Sequence, residues 1–154
     1  MINTEALRRV LKTIFDVDDK YLVPVNEGFF MPTIDESDKT GTWIGYRILE
    51  KMPRTRSNTP DLSVELPIQV RFRLTFVGPE AEKLADGTML WDSRKDVRAA
   101  FDAEGAQLNY TARAICSYSL RNGGFNDYMC WYVDFLCTTW FGEDIQRGDW
   151  IPKN

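Results

Sequence analysis

The sequence predicts an α+β fold: a largely antiparallel sheet with helices on one face, in the order α-β-β-β-α-α-β-β. Three observations carry this. From Val64 to Phe76 every second residue is apolar (Val64, Leu66, Ile68, Val70, Phe72, Leu74, Phe76), with Glu65, Gln69, Arg71, Arg73 and Thr75 among those between. Period two marks a strand with one buried face and one wet face. From Tyr128 to Phe141 the chain reads YMCWYVDFLCTTWF, apolar on both faces, and such a strand needs cover on both sides. Near the start, Ala6, Leu7, Val10, Leu11, Ile14 and Phe15 recur at helical spacing, with Arg8, Arg9 and Lys12 on the other side.

Taken in order, Thr4 is the expected N-cap of a helix over 4–15, and Asp16, Asp18 and Asp19 end it. Tyr21 to Val25 reads as a short strand, and Pro24 suggests an edge. Residues 27–41 carry Gly28, Pro32, Gly41 and the polar run Asp35 to Thr40, and read as a loop. A strand follows over 43–52, then a polar connection over 53–61 (PRTRSNTPD), then the long strand 62–77, stopped by Gly78-Pro79. Two helices are expected within 79–103: one opening with Pro79, Glu80 and Glu82, the second capped by Asp92 with Val97, Ala100 and Phe101 on one face and closed by Gly105. Strand 107–121 alternates again, and Asn122-Gly123-Gly124 is a turn signal that makes it a hairpin with strand 127–141. Inward residues should include Leu7, Leu11, Ile68, Val70 or their facing neighbours, Phe72, Cys116, Val133 and Phe135.

No linker separates two cores, so residues 1–154 read as one domain, with the loops 27–41 and 53–61 as assembly arms. The formal net charge of −4 argues against a sequence-independent grip on nucleic acid, which needs a basic surface. No apolar run is long enough to span a membrane. Cys116, Cys130 and Cys137 lie in strand-like runs with no CxxC spacing, and the N-terminus shows no signal-peptide pattern. Reduced, buried thiols in a cytosolically made protein are the expectation.

Residue chemistry points away from catalysis. The chain has no histidine, which removes the commonest general base, nucleophile activator and metal ligand. It contains no GxSxG, GxxxxGK[ST] or GxGxxG motif. Asp16, Asp18 and Glu27 have the outer spacing of a calcium loop, but Lys20 and Tyr21 occupy positions such a loop cannot give them. No catalytic, cofactor or metal residue is therefore assigned. Asp134 is the one charge inside the apolar run 128–141; it is read as a carboxylate paired with a neighbouring-strand arginine such as Arg113, or facing a subunit contact. The candidate interface residues are the basic Arg47, Lys51, Arg54 and Arg56, set against the acidic Asp35, Glu36 and Asp38 of a neighbour.

The run RFRLTFVGPEAEKLADGTMLWDSRKDVRAAF (Arg71 to Phe101) resembles the phage neck, or tail terminator, proteins. A strand ending in Val77-Gly78-Pro79, a short helix, Leu90-Trp91-Asp92 and a second helix carry the likeness. The early helix and the segment Arg47 to Pro53 fit the same layout. The resemblance implies a structural virion subunit, assembled in the host cytoplasm, that forms a hexameric ring in the phage neck. The ring would cap the tail tube, stop its polymerisation and dock the head connector or head-completion protein. DNA would pass through the lumen without specific binding, and an acidic lumen would repel it. The likeness brings no catalytic residue and no cofactor. Two other classes stay open: a small-molecule binding module with an apolar pocket in a curved sheet, and an enzyme working only with acids, lysines or tyrosines.

Overall fold

Helix α1 spans Thr4–Phe15, the bounds the sequence predicts. Asn3, not Thr4, is the N-cap: its backbone is extended, and its Oδ1 accepts the Ala6 N–H at 2.8 Å. The helix stops at Asp16, which takes the left-handed conformation (φ +46°) and donates its N–H to the Lys12 carbonyl. Ala6, Leu7, Val10 and Leu11 form its buried stripe. The computed structural model that shows this describes residues 3–26, 41–53, 67–111, 116–120 and 128–140.

Among the described residues six strands form one sheet: β1 (Leu22–Pro24), β2 (Trp43–Pro53), β3 (Pro67–Val77), β4 (Ala106–Thr111), β5 (Cys116–Leu120) and β6 (Tyr128–Trp140). The spatial order is β1-β2-β3-β6-β4, with β5 also on β6. Every pairing is antiparallel except β1 with β2. The class is α+β, as the alternation predicts. β1 is the expected edge strand at Pro24. Of the expected strand 62–77, residues 62–66 lie outside the described residues. Of the strand expected over 107–121, β4 and β5 are the described parts, and both share one side of β6. Thr111 and Cys116 are five residues apart, but their partners Phe135 and Tyr132 are only three apart, so the register slips between the pieces. The turn at 122–124 lies outside the described residues, although the antiparallel pairing of β5 with β6 is the one a hairpin requires.

After β3 the chain turns at Gly78 (φ +135°), where a side chain would collide with the Gly41 carbonyl. The Glu80 N–H is held by Thr42 Oγ1 at 3.0 Å, tying this turn to the start of β2. Two helices follow, α2 (Ala81–Gly87) and α3 (Lys95–Asp102), joined by a 3-10 turn over Thr88–Ser93. Asp92 is not the cap of α3: it sits exposed in the 3-10 turn, and Arg94 occupies the N-cap position without a side-chain cap bond. Gly105 does close the segment, at φ +66°.

All three helices bury one face of the sheet. Leu7, Leu11, Ala85, Val97 and Phe101 of these helices and Trp91 of the 3-10 turn join Ile44, Tyr46, Ile68, Val70, Phe72, Leu74, Phe76, Val133, Phe135 and Cys137 in a single core. The strand residues are alternate positions of β2, β3 and β6, which is what period two requires. Phe135 is sandwiched in the middle: Phe72 stacks on it at 4.9 Å and 11°, and Trp91 stacks at 4.9 Å and 24°. Aromatic pairs at this separation add about 0.5–1.5 kcal/mol beyond the area they bury. Of the residues expected to point inward, Leu7, Leu11, Ile68, Val70, Phe72, Val133 and Phe135 are buried. Cys116 lies opposite Tyr132 in the register, and its side chain is outside the described set.

Candidate functional site

The sheet face turned away from the helices is where the chemistry-bearing side chains gather. Its composition follows from two local features. The first is the strict alternation of β3, which puts Gln69, Arg71, Arg73 and Thr75 on this face because Val70, Phe72, Leu74 and Phe76 occupy the other. The second is a bulge in β2. Ile48 pairs with Phe72 and Glu50 with Arg71, leaving Leu49 without a register partner. One extra residue inverts the alternation. Arg47 and Glu50, three apart, therefore share the open face, opposite Arg73 and Arg71 respectively.

Asp134 of β6 anchors the group. It lies opposite Arg73 and accepts from Arg73 Nε at 2.7 Å and from Nη2 at 3.1 Å. Arg71 Nη2 stands 3.7 Å from the same carboxylate, while Arg71 Nη1 reaches Glu50 Oε1 at 3.2 Å. The Arg73 guanidinium also lies over the Tyr132 ring, 4.3 Å from its centroid. Arg–carboxylate pairs with two parallel bonds are the strong, geometrically defined kind. Asp134 is shielded, at 16% side-chain exposure, whereas Arg71 and Glu50 are open at 48% and 46%. At the lower edge of the same face, Asn109 Nδ2 donates to Thr138 Oγ1 at 2.5 Å.

This overturns one expectation. The strand β6 is not apolar on both sides: its helix-side positions are Trp131, Val133, Phe135 and Cys137, but its open face carries Cys130, Tyr132, Asp134, Leu136 and Thr138. The partner of Asp134 is also corrected. It is Arg73, with Arg71 behind it; Arg113 lies outside the described residues. Sequence reasoning passed over Arg71 and Arg73 as ordinary solvent-side positions. Their signal was a pair of arginines facing the one acid of the neighbouring strand, which becomes visible only when the β3–β6 register is known.

At the β1 end the open face dries out. Val77 and Cys130 are fully buried, packed with Val23, Val25 and Trp43. Tyr21 meets Trp43 edge-on at 5.1 Å, and the Trp43 indole N–H finds no hydrogen-bond partner among the described residues. Burial alone pushes the Cys137 thiol, on the core side, up to about 12.

Of the expected interface residues only Arg47 and Lys51 are described, and they stand on opposite faces of the sheet. Arg47 is half-buried on the open face and makes no ion pair among the described residues. Lys51 falls beyond the bulge, opposite Val70, and is exposed on the helix side. Arg54, Arg56, Asp35, Glu36 and Asp38 lie outside the described residues. Among the described residues no group of three Cys, Asp or Glu side chains is placed to hold a metal. No described helix is long and apolar enough to cross a membrane. No protein-family model matches the chain, and no curated protein is recognisably similar to it in sequence.

What the open face can do chemically is bind by charge and hydrogen bonding. Arginines, carboxylates, an amide and a phenol are held in fixed positions on a rigid sheet.

Proposed function

We propose that the protein is a structural virion subunit, a ring-forming tail terminator that caps the tail tube and docks it to the head connector. The observation that supports this best is the one-sidedness of the sheet. Among the described residues the three α-helices pack on one face, and the opposite face displays a cross-strand row of paired charges, Glu50–Arg71–Asp134–Arg73. Such a molecule offers surfaces to neighbours and does not enclose a reaction site. The alternative, a small-molecule module with a pocket between sheet and helices, is less favoured. That space holds Trp91, Phe72, Phe101 and Phe135, none more than 1% exposed.

In this reading the partners are further copies of the chain in a hexameric ring, the tail tube protein, and the head connector or head-completion protein. DNA passes through the lumen unbound, and the location is the phage neck. Basic residues Arg47, Lys51, Arg54 and Arg56 meet an acidic patch, for which Asp35, Glu36 and Asp38 are the candidates. The test combines light scattering of the purified protein, negative-stain imaging and co-sedimentation with tail tubes. Rings with a central opening, or capture by tube ends, support the reading. A protein that stays monomeric both alone and with tubes rejects it.

A further inference from the structure

Two pairs of like charge, of opposite sign, lie on opposite sides of the sheet. On the open face Arg47 stands directly opposite Arg73 in the β2–β3 register. Like charges facing each other across two strands are destabilising. Arg73 is engaged by Asp134, and Arg71 by Glu50 and Asp134, whereas Arg47 makes no ion pair among the described residues. The described charges of this face are Arg47, Arg71 and Arg73 against Glu50 and Asp134, an excess of base in a chain whose net charge is −4. On the helix side the signs reverse. Glu82 and Asp86 sit four residues apart on α2, where like charges share one side of a helix and repel. Both are exposed, as are Leu90 and Asp92 in the 3-10 turn that follows. Glu82, Asp86 and Asp92 make no ion pair among the described residues, and Lys83, the one base of α2 and this turn, reaches Glu80. Exposed cations return only on α3, at Lys95 and Arg98.

We propose that the open sheet face of one copy docks on the α2 side of a second copy, with Arg47 set against the Glu82–Asp86 pair. The occupant follows from charge and position. One molecule cannot join its own two patches, because the sheet and the core beneath α2 stand between them. A second copy presents the missing acid, and a single contact then relieves a like-charge pair on each side. Tyr132 and Leu136, half-buried on the open face, add apolar surface to meet the exposed Leu90. Because the two patches differ, the contact is head to tail and repeats from copy to copy. This deepens the ring reading by giving Arg47 its acidic counterpart on α2, and it rests on that reading for closure of the array.

The test is a charge swap, read by light scattering across a concentration series and by co-sedimentation with tail tubes. Arg47→Glu should raise the concentration needed for assembly by about tenfold or more, since like charges then meet across the contact. Its urea midpoint should equal or exceed the parent's, because an acid opposite Arg73 removes the repulsion within the fold. Glu82→Lys combined with Asp86→Lys should weaken assembly to a similar extent. All three changes together should restore it, which a loss of folding cannot imitate. Multimers that tolerate either reversal, or reversals that the combined variant does not rescue, overturn this contact and leave the ring reading standing. Open filaments with the same swap behaviour uphold the contact and remove the ring. A parent that stops at a two-fold dimer, or stays monomeric alone and with tubes, overturns both.

Discussion

Arg73 of β3 and Asp134 of β6 face each other across the strand boundary and are joined by two hydrogen bonds, of 2.7 and 3.1 Å. Removing the acid takes away the carboxylate that Arg73 and Arg71 share. Asp134→Ala should therefore destabilise the fold by about 1–3 kcal/mol, the cost of stranding a half-buried charged partner. Replacing both residues with leucine should cost less than the sum of the single changes. Urea midpoints of the four proteins in the cycle measure this; strict additivity would show that the pair is ornamental.

Two glycines should respond oppositely to the same change. At Gly78 an added Cβ would sit 2.7 Å from the Gly41 carbonyl oxygen and 2.9 Å from Thr42 Cα, at φ +135°. Gly78→Ala should cost at least about 2 kcal/mol, because strain and collision act together. Gly87 is the last residue of α2, with helical φ and ψ of −60° and −27° and nothing within 4 Å of an added Cβ. Gly87→Ala should stabilise by about 0.4–1 kcal/mol through the unfolded chain. Thermal melts of both variants would show the opposite signs.

Trp91 is the keystone of the aromatic cluster, stacked on Phe135 and near Phe15 and Phe101. Trp91→Ala should cost about 3–5 kcal/mol by leaving a cavity between sheet and helices. Trp91→Phe keeps most of the stack and should cost clearly less. Chemical denaturation compares the two; equal losses would mean that the site collapses around any smaller side chain.

Glu104 carries a pH signature. Its carboxyl is held below the ordinary 4.5 chiefly by hydrogen bonds from Arg9, which reaches it at 2.7 and 2.9 Å. Folding thus favours the charged form. The stabilisation is complete above 4.5 and is lost as pH falls through the lower folded value. Parent and Glu104→Gln should differ most near neutral pH and converge in acid, and added salt should narrow the gap because Arg9 is largely exposed. Melting temperatures across a pH series check this.

The buried thiols should be inert. Cys130 and Cys137 are buried, and the Cys137 thiolate is disfavoured up to about 12. Neither should react with a maleimide until the protein unfolds, since the thiolate is the nucleophile. Mass spectrometry of native and denatured samples reads the sites directly. Rapid native labelling at Cys137 would mean that β6 opens far more often than its central place in the sheet implies.

The parts of this fold legible in the chain are those whose pattern is enforced by burial on one side only. β3 shows its two faces because Val70, Phe72, Leu74 and Phe76 are sealed by helices while Arg71 stays wet. β6 was harder. Tyr132, Leu136 and Cys130 are apolar enough to mimic a second core face, although Asp134 and Thr138 mark that side as polar once Arg73 is opposite. Helix α1 was clear from its stripe, but its cap was misplaced because Asn3 and Thr4 are both good caps and only backbone geometry separates them. The candidate surface was the least legible part, because cross-strand pairing is long-range: nothing local to Arg73 announces a residue at 134.

The extra residue at Leu49 has a consequence for any partner that would use the basic stretch of β2. Read along the chain, Arg47 and Lys51 look like neighbours on one strip. Beyond the bulge they stand on opposite sides of the sheet, Arg47 with Arg73 and Lys51 with Val70. A flat surface laid on this molecule can touch one of them, never both. A neighbour that binds both must clasp the end of the sheet like a clip on a page.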